Sequence, residues 1–136
     1  MTNLIYQRDD EQRRIVVTMI GSADASHFLS VIERQRREGT WHYGLLYDLR
    51  RLTTPLLIPE QRGFLTHIAA TPETAAGRGP VAFVAVAPAV YASSCLYATL
   101  ARAECTMAVF REMADAYAWL TSQAPDIVSR PPLSYP

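Results

Sequence analysis

Polar side chains that could bind an anion follow one apolar segment of this 136-residue chain. Residues 42–47 form a continuous apolar and aromatic run, which is typical of a strand buried on both faces. The polar residues after this run are Asp48, Arg50, Arg51, Thr53 and Thr54. Two arginines close to the start of a helix can hold an anion, because free backbone N–H groups point to the same place. In the alternative interpretation, Asp48 caps the loop and both arginines are solvated.

A second candidate site lies at the start of the helix that follows residues 81–87. Ser93, Ser94 and Cys95 provide hydroxyl and thiol groups there, but no general base can be placed beside them. Tyr91 and Ser94 are therefore candidates for binding a ligand or partner. The segment contains many small residues, which permit either close packing of the helix on the sheet or an apolar cavity. Such a cavity would be lined by Phe83, Tyr91, Leu96 and Tyr97.

The residue types that most catalytic and metal-dependent chemistry requires are scattered along the chain. His27, His42 and His67 lie on separate predicted elements without H-E-x-x-H or H-x-H spacing, so we expect no metal site. Cys95 and Cys105 lack C-x-x-C spacing and are interpreted as buried small hydrophobic residues. No G-x-x-x-x-G-K-S/T or G-x-G-x-x-G loop occurs, so ATP and dinucleotides are not expected. The sequence predicts no catalytic residue and no cofactor.

The composition predicts one globular domain in the cytoplasm. Apolar residues make up 49% of the chain, and 13 basic residues balance 13 acidic ones. A nucleic-acid binder usually has a basic excess, so nucleic acid is not an expected partner. The longest apolar stretch covers only residues 81–90, whereas a membrane span requires about twenty residues. Residues 1–10 contain no apolar run of the kind found in signal peptides.

Hydrophobic periodicity predicts strands that alternate with helices. Two β-prone runs, residues 4–6 and 14–20, flank the polar stretch 9–12 and are expected to pair as an antiparallel hairpin. The other predicted elements are helices over 24–38, from Pro59, over 91–103 and over 112–122, and strands over 42–47, 81–87 and 105–110. The order β-β-α-β-α-β-α-β-α implies an α/β fold: a five-stranded, mostly parallel sheet with one antiparallel edge strand and four helices.

The same periodicity predicts which side chains are buried. In the helix after Pro59, the buried face consists of Phe64, Leu65 and Ile68. In the last helix, it consists of Met113, Ala116, Trp119 and Leu120. Residues 1–123 are predicted to form one domain. The proline-rich residues 124–136 are predicted to form a tail that either packs across the surface or is disordered.

Three segments carry a family resemblance. Residues 17–21 (VTMIG) precede a helix, residues 45–50 (LLYDLR) end a strand, and residues 109–120 contain VFRE followed by AYAWL. In these segments, and in element order over residues 3–122, the chain resembles the SpoIIAA-like family, which is related to STAS domains, the anti-anti-sigma-factor fold. The resemblance implies that fold and a role in binding or regulation.

Two features of these proteins are missing from the chain. Anti-anti-sigma factors carry a D-S-S-G-like phosphoacceptor motif at the start of the second helix, where residues 53–59 read TTPLLIP. Many SpoIIAA-like proteins have a basic residue early in the third helix, where residues 91–95 read YASSC. The expected function is a non-catalytic STAS-like regulatory or protein-interaction module without a phosphorylation switch. The alternative is a small apolar-ligand or lipid-binding protein with a pocket between sheet and helices.

Apolar side chains outside the predicted core indicate self-association. Tyr6 lies on an edge strand, residues 56–58 form an apolar run in a loop, and residues 131–135 carry apolar side chains. Such patches usually mark contact sites, and two-fold dimers are the commonest assembly. The expected partner is another protein or a second copy of this chain in a homodimer. In the alternative, the tail folds back over residues 56–58 within one chain.

Overall fold

The computed structural model describes residues 2–69, 77–102 and 106–123. Within these ranges the chain forms five strands and four helices. In chain order they are β1 (Thr2–Asp9), β2 (Arg14–Gly21), α1 (Ala25–Glu38), β3 (Gly44–Leu52), α2 (Ile58–Ala69), β4 (Val81–Val84), α3 (Pro88–Leu100), β5 (Met107–Phe110) and α4 (Met113–Gln123). The predicted α/β class and element order are confirmed.

The strands lie side by side in the order β1-β2-β3-β4-β5. β1 pairs with β2 in antiparallel orientation, with Tyr6 opposite Val17, and the other three neighbouring pairs are parallel. The hairpin turn contains Arg13, whose φ of 52° is left-handed, and the Gln12 amide donates to Asp9 Oδ1 at 3.0 Å. The predicted antiparallel hairpin at the edge of the sheet is confirmed.

The sequential strand order determines which face each helix covers. A right-handed crossover between neighbouring parallel strands places its helix on the same face each time. α1, α2 and α3 therefore share one face, here called the three-helix face, and α4 packs on the opposite, one-helix face. Since side chains alternate along a strand, Leu45 and Tyr47 of β3 face the three helices, whereas Leu46 faces α4.

The one-helix face has the smaller core. Its buried members are Leu46, Ala82, Val84, Ala116 and Leu120. Leu120 is buried as predicted, but Trp119 is only half-buried, and its ring centroid lies 5.8 Å from that of Phe110. The reason is that no second helix stands beside α4 on this face within the described residues. For the same reason the outward residues of β2, which are Val16, Thr18 and Ile20, are half-buried and not fully enclosed.

Helix α1 follows its predicted limits because both of its ends are capped. The Asp24 side chain accepts from the Ser26 amide at 3.0 Å, and His27 Nδ1 accepts from the Asp24 amide at 3.1 Å, which forms a capping box. Gly39 ends the helix in the left-handed conformation, with φ of 71°. His27 therefore has a structural role at the helix start.

Strand β3 differs most from its prediction. The predicted strand over 42–47 is wrong at both limits, because β3 runs from Gly44 to Leu52. Residues 42–43 are outside the ladder and belong to a turn, in which the Tyr43 amide donates to the Thr40 carbonyl at 2.9 Å. At the other end, β2 continues to Gly21, which pairs with Leu52, and a register shift after Thr18 keeps the two strands in contact. Hydrogen bonding to β2 therefore extends β3.

The remaining predicted limits need smaller corrections. β4 ends at Val84, whereas residues up to 87 were predicted, and α3 begins at Pro88 and not at Tyr91. Proline suits the first turn of a helix, because the N–H that it lacks would have no partner there. In α2, Leu65 is half-buried, whereas the side chains of Phe64 and Ile68 lie outside the described part of the structure, as do Cys105 and the tail 124–136.

Candidate functional site

The parallel strands β2 to β5 all end at the same side of the sheet, here called the carboxyl edge. Open α/β sheets bind their ligands outside this edge. Asp48 was predicted to end its strand. It lies instead within β3, between Thr18 of β2 and Val84 of β4. It has 6% of its surface exposed and shares the one-helix face with Leu46.

Asp48 and Arg50 form a two-point ion pair. The Arg50 Nε donates to Asp48 Oδ1 and an Arg50 Nη donates to Asp48 Oδ2, both at 2.9 Å, and the Arg50 amide donates to Oδ1 at 3.2 Å. Burial alone would raise the pKa of Asp48, but the hydrogen bonds and positive charge of Arg50 hold it below the usual carboxyl range. The same hydrogen bonds raise the pKa of Arg50. Both groups therefore satisfy each other within the chain.

Among the described contacts, the other polar residues after β3's centre make no hydrogen bond to this pair. Arg51 is exposed and pairs with Ile20 of β2, and its positive charge helps to lower the pKa of Asp48. Thr53 is bound to β2, because both its amide (2.7 Å) and its hydroxyl (3.0 Å) donate to the Gly21 carbonyl. Thr54 is exposed. Of the five residues, Asp48 and Arg50 are thus bound to each other, whereas Thr53 is bound to β2.

Tyr91 and Ser94 occupy different surroundings, although both lie in the first half of α3. The guanidinium carbon of Arg111 lies 3.9 Å from the centroid of the half-buried Tyr91 ring, near the carboxyl edge. The Ser94 hydroxyl donates to the Val90 carbonyl at 2.8 Å and is buried below the helix surface. Whether any of the seven predicted site residues binds a ligand or partner stays a prediction.

A cavity of about 40 Å³ lies between the three-helix face of the sheet and helices α2 and α3. Its lining is mainly apolar: Phe28, Tyr47, Leu49, Leu52, Pro55, Leu56, Phe83, Val90 and Tyr97, together with Gln61, Arg78, Ser93 and Ser94. The sequence-based lining included Phe83 and Tyr97 correctly. Tyr91 and Leu96, which it also included, are absent from the cavity lining, and Leu96 is 37% exposed.

Sequence reasoning missed the two most polar members of this lining, Gln61 and Arg78. Gln61 is 2% exposed and lies one turn before Leu65 on α2, so helical spacing could have placed it on the buried face. Its Nε2 donates to the Leu56 carbonyl (3.2 Å) and to the Ser93 carbonyl (3.0 Å) and hydroxyl (2.9 Å). Arg78 lies between α2 and β4 in sequence, and no sequence pattern indicated its position.

Three large apolar side chains near the carboxyl edge are exposed to solvent. Leu57 is 62% exposed, Ile58 47% and Val86 50%, and together they are here called the edge patch. The loop that presents Leu57 is fixed in place, because the Ser93 hydroxyl donates to the Leu56 carbonyl at 2.9 Å. The Leu57 amide donates to Glu60 Oε1 at 3.1 Å, which caps the start of α2. The backbone of residues 56–57 is therefore held at two points.

The described residues contain neither a metal-binding cluster nor a membrane-spanning helix. No group of three or more His, Cys, Asp or Glu side chains among them is arranged to hold a metal ion. None of the helices in that part of the chain is both long and apolar enough to cross a membrane.

Comparisons with known proteins identify the fold. No family model matches the chain, and no curated protein does. An uncharacterized protein of the DUF3478 family from Shewanella loihica, with a SpoIIAA-like fold, is 11% identical, with 88% of this chain and 93% of that one covered at a TM-score of 0.56. An anti-sigma factor antagonist from Mycobacterium paratuberculosis is 19% identical, with 88% and 94% covered at a TM-score of 0.57.

A third solved structure agrees. The anti-sigma factor antagonist SpoIIAA in its unphosphorylated form is 12% identical, with 87% of this chain and 97% of that one covered at a TM-score of 0.52. The chain therefore has the SpoIIAA-like fold, a five-stranded sheet with one antiparallel pair, as the sequence resemblance implied. At these identities the similarity concerns the fold, and function needs a separate argument.

Proposed function

We propose that this protein is a non-catalytic STAS-like regulatory module that acts by binding another protein at the carboxyl edge of its sheet. The observation that carries the proposal is the edge patch: Leu57, Ile58 and Val86 expose about half or more of their surfaces. Contiguous exposed apolar side chains on a small domain usually mark contact sites. Two of the similar structures are named as anti-sigma factor antagonists, which supports a regulatory role.

The rigid loop beneath the patch favours binding. Leu56, which precedes the patch, accepts hydrogen bonds from Ser93 and Gln61, so the loop is joined to both α2 and α3. A surface that is ordered before binding loses less conformational entropy when a partner docks. The exposed Arg51 and Thr54 then form part of a polar rim around the apolar residues, as is usual at interfaces.

The same proposal excludes phosphorylation as the switch. Thr53 donates its hydroxyl hydrogen to the Gly21 carbonyl, so a phosphate on it would remove this hydrogen bond to the end of β2. Thr54 is exposed, but Pro55 follows it and the sequence lacks the D-S-S-G-like motif. Control by a partner's concentration, without covalent modification of this loop, fits these residues better.

The partner in this proposal is a protein: either a different chain or a second copy in a homodimer. No nucleic acid is proposed, since 13 basic and 13 acidic residues cancel, and the proposed site of action is the cytoplasm. Of the surfaces predicted for self-association, residues 56–58 fit best. Tyr6 on β1 is a weaker candidate, because the guanidinium carbon of Arg34 lies 3.8 Å from its ring centroid and its hydroxyl donates to Glu38 Oε1 at 3.2 Å.

Photo-crosslinking from position 57 tests the proposal. A benzophenone amino acid replaces Leu57 in one variant and Ala118, an exposed residue of α4, in the control. Irradiation in the cells that make the protein is expected to give one discrete adduct from position 57 and none from position 118. The adduct mass identifies the partner class: about twice 15.2 kDa indicates a second copy, and any other mass a different protein.

The crosslink must also depend on the neighbouring apolar side chain. Adding Ile58→Asp to the position-57 variant is expected to remove the adduct while thermal unfolding stays the same, because the side chain is 47% exposed. Equal adducts from positions 57 and 118, or an adduct that Ile58→Asp leaves intact, would contradict binding at the edge patch.

The alternative function, a small apolar-ligand or lipid-binding protein, is favoured by one observation, the cavity between the sheet and helices α2 and α3. It lies behind Leu56 and is separate from the edge patch. Both functions are compatible with one chain, and each has its own test.

A further inference from the structure

We propose that the cavity binds a short-chain carboxylate, with its apolar chain inside and its carboxylate on Arg78. The proposal rests on the alternative function and names the chemistry of its ligand, and it does not depend on protein binding at the edge patch. Three observations carry it: a buried amide oxygen and a guanidinium that have no hydrogen-bonding or ion-pair partner among the described residues, and the size of the apolar space.

The first observation concerns Gln61, which is 98% enclosed because only 2% of its surface is exposed. The orientation of its amide follows from its neighbours: the Leu56 and Ser93 carbonyls only accept, and the Ser93 hydroxyl gives its hydrogen to Leu56. All three groups therefore accept from Nε2, and none of them can donate to Oε1. Oε1 is buried and has no hydrogen-bond partner among the described residues. A buried acceptor without a partner costs free energy unless a donor arrives.

The second observation concerns Arg78, which lines the same cavity. One Nη of its guanidinium is buried and has no hydrogen-bond partner, and none of the ion pairs between described residues includes Arg78. Its only described aromatic contact places the guanidinium carbon 4.9 Å from the centroid of the Trp41 ring, which leaves the N–H groups available. Arg78 is half-buried, a buried N–H without an acceptor is unfavourable, and a carboxylate is the group that the planar guanidinium binds best.

The third observation is the volume of about 40 Å³. One water-sized group occupies roughly 10–15 Å³ of such space, so the cavity holds about three groups of that size. An apolar chain of about three carbons therefore fills it, and the carboxylate at its end reaches Arg78. The ionised carboxylate on Arg78 has no hydrogen to donate, so a hydroxyl substituent on the chain would supply the donor that Gln61 Oε1 lacks.

The test uses butyrate as the probe and the full-length protein labelled with ¹⁵N. Butyrate is expected to shift the amide resonances of Ser93, Ser94 and Tyr97 in a saturable manner, with Kd on the order of 1 mM for so small a ligand. Butyramide, which has the same shape without the charge, is expected to bind at least about tenfold more weakly, because hydrogen bonds between charged groups are the stronger ones. Decanoate is expected not to shift these resonances, since its chain exceeds the cavity.

Two variants and one control assign the binding to this cavity. Arg78→Met is expected to weaken butyrate binding about tenfold or more, whereas Arg102→Met, which removes an exposed arginine at the end of α3, leaves it unchanged. Val90→Ile adds one methyl group to the lining and is expected to reduce binding without unfolding the protein. Since butyrate and butyramide are compared on the unaltered protein, the test stands even where a variant folds poorly.

Several results would overturn the proposal. They are the absence of a saturable shift at the cavity residues, equal binding of butyrate and butyramide, tighter binding of decanoate, and equal effects of Arg78→Met and Arg102→Met. A failure of this kind leaves the crosslink from position 57 as a separate result, because that experiment reads the edge patch and not the cavity.

Discussion

The two faces of the sheet are built from the same strands and differ in what covers them. On the three-helix face, the rings of Phe28, Tyr47, Phe83 and Tyr97 form a continuous series with centroid separations of 5.2, 5.3 and 5.9 Å. On the one-helix face, α4 covers a core of smaller side chains, and the buried members from β4 are Ala82 and Val84. The same ladder of strands thus carries a thick apolar layer on one side and a thin one on the other.

The different coverage of the two faces explains why the ion pair of Asp48 and Arg50 is tolerated on the one-helix face. Asp48 and Arg50 alternate with Tyr47 and Leu49, so a shift of one residue would place them in the aromatic layer. On the one-helix face the Arg50 side chain is 46% exposed, so water solvates the pair and lowers its cost. The thick layer instead encloses the cavity, where Gln61 and Arg78 are the polar exceptions.

The largest expected effect is the loss of an aromatic ring from the three-helix face. Phe83 is 4% exposed and stacks on Tyr47 at 5.3 Å with an interplanar angle of 9°. Phe83→Ala is expected to lower the free energy of unfolding by about 3–5 kcal/mol, as buried aromatic truncations do. Urea denaturation measures the change, and a loss below about 1 kcal/mol would mean that the layer is not packed as described.

On the one-helix face, the loss of an aromatic ring is expected to lower the free energy of unfolding about half as much. Trp119 is only half-buried against Phe110, so Trp119→Ala exposes less apolar surface, and we expect a loss of about 2 kcal/mol. This value is below the roughly 3–5 kcal/mol that full burial would predict. Trp119→Phe is the matched control and should recover most of the loss. A larger effect for Trp119→Ala than for Phe83→Ala would reverse the ranking of the two faces.

The charged pair predicts a pH dependence. Because the folded pKa of Asp48 is lowered, ionised Asp48 stabilises the fold at neutral pH, and this contribution disappears as the pH falls through the lowered folded value. Asp48→Asn is expected to cost about 1 kcal/mol at neutral pH, since exposure of Arg50 screens the pair. The difference between wild type and variant should shrink below pH of about 3.9, the usual carboxyl value.

Denaturation series at neutral and acid pH measure this dependence. Arg50→Gln is the matched variant and should lose the same pH-dependent component, because it removes the other half of the pair. A difference between wild type and Asp48→Asn that stays constant from neutral pH to below the carboxyl range would refute the ion-pair account.

The smallest change in the free energy of unfolding is expected on the part of the one-helix face that α4 does not cover. Ile5 on β1 pairs with Thr18 and is 47% exposed, so it projects from the uncovered part of the one-helix face. Ile5→Lys is expected to change the free energy of unfolding by less than about 0.5 kcal/mol. A loss above about 2 kcal/mol, measured in the same denaturation series, would show that something covers this part of the sheet.

The sequence predicted the fold because its signals were local and repeated. Alternation in β2, apolar spacing in α1 and the polar turn at residues 9–12 each depend on neighbours in sequence. The length of β3 was not predictable in this way, since pairing of Gly21 with Leu52 decides it. Trp119 was misjudged for a related reason: spacing shows which side of α4 faces the sheet, but not how much of that side is covered.

The candidate site was harder to predict than the fold. Arg50 and Arg51 are adjacent in sequence, and only the structure shows that Arg50 hydrogen-bonds both oxygens of Asp48 whereas Arg51 acts on it through charge alone among the described contacts. The cavity joins residues from α1, β3, α2, β4 and α3, and its polar members Gln61 and Arg78 are 17 positions apart in sequence. No single-sequence pattern connects residues that meet only after the helices have packed.

The most direct test of the central claim, protein binding at the edge patch, is the sedimentation of labelled wild type and Leu57→Asp in extracts of the cells that make the protein. Aspartate is well suited to position 57, which directly precedes α2, so the variant should fold normally. The account predicts that wild type sediments faster than a single 15.2 kDa chain and that Leu57→Asp sediments as one chain. Identical sedimentation of the two proteins would contradict it.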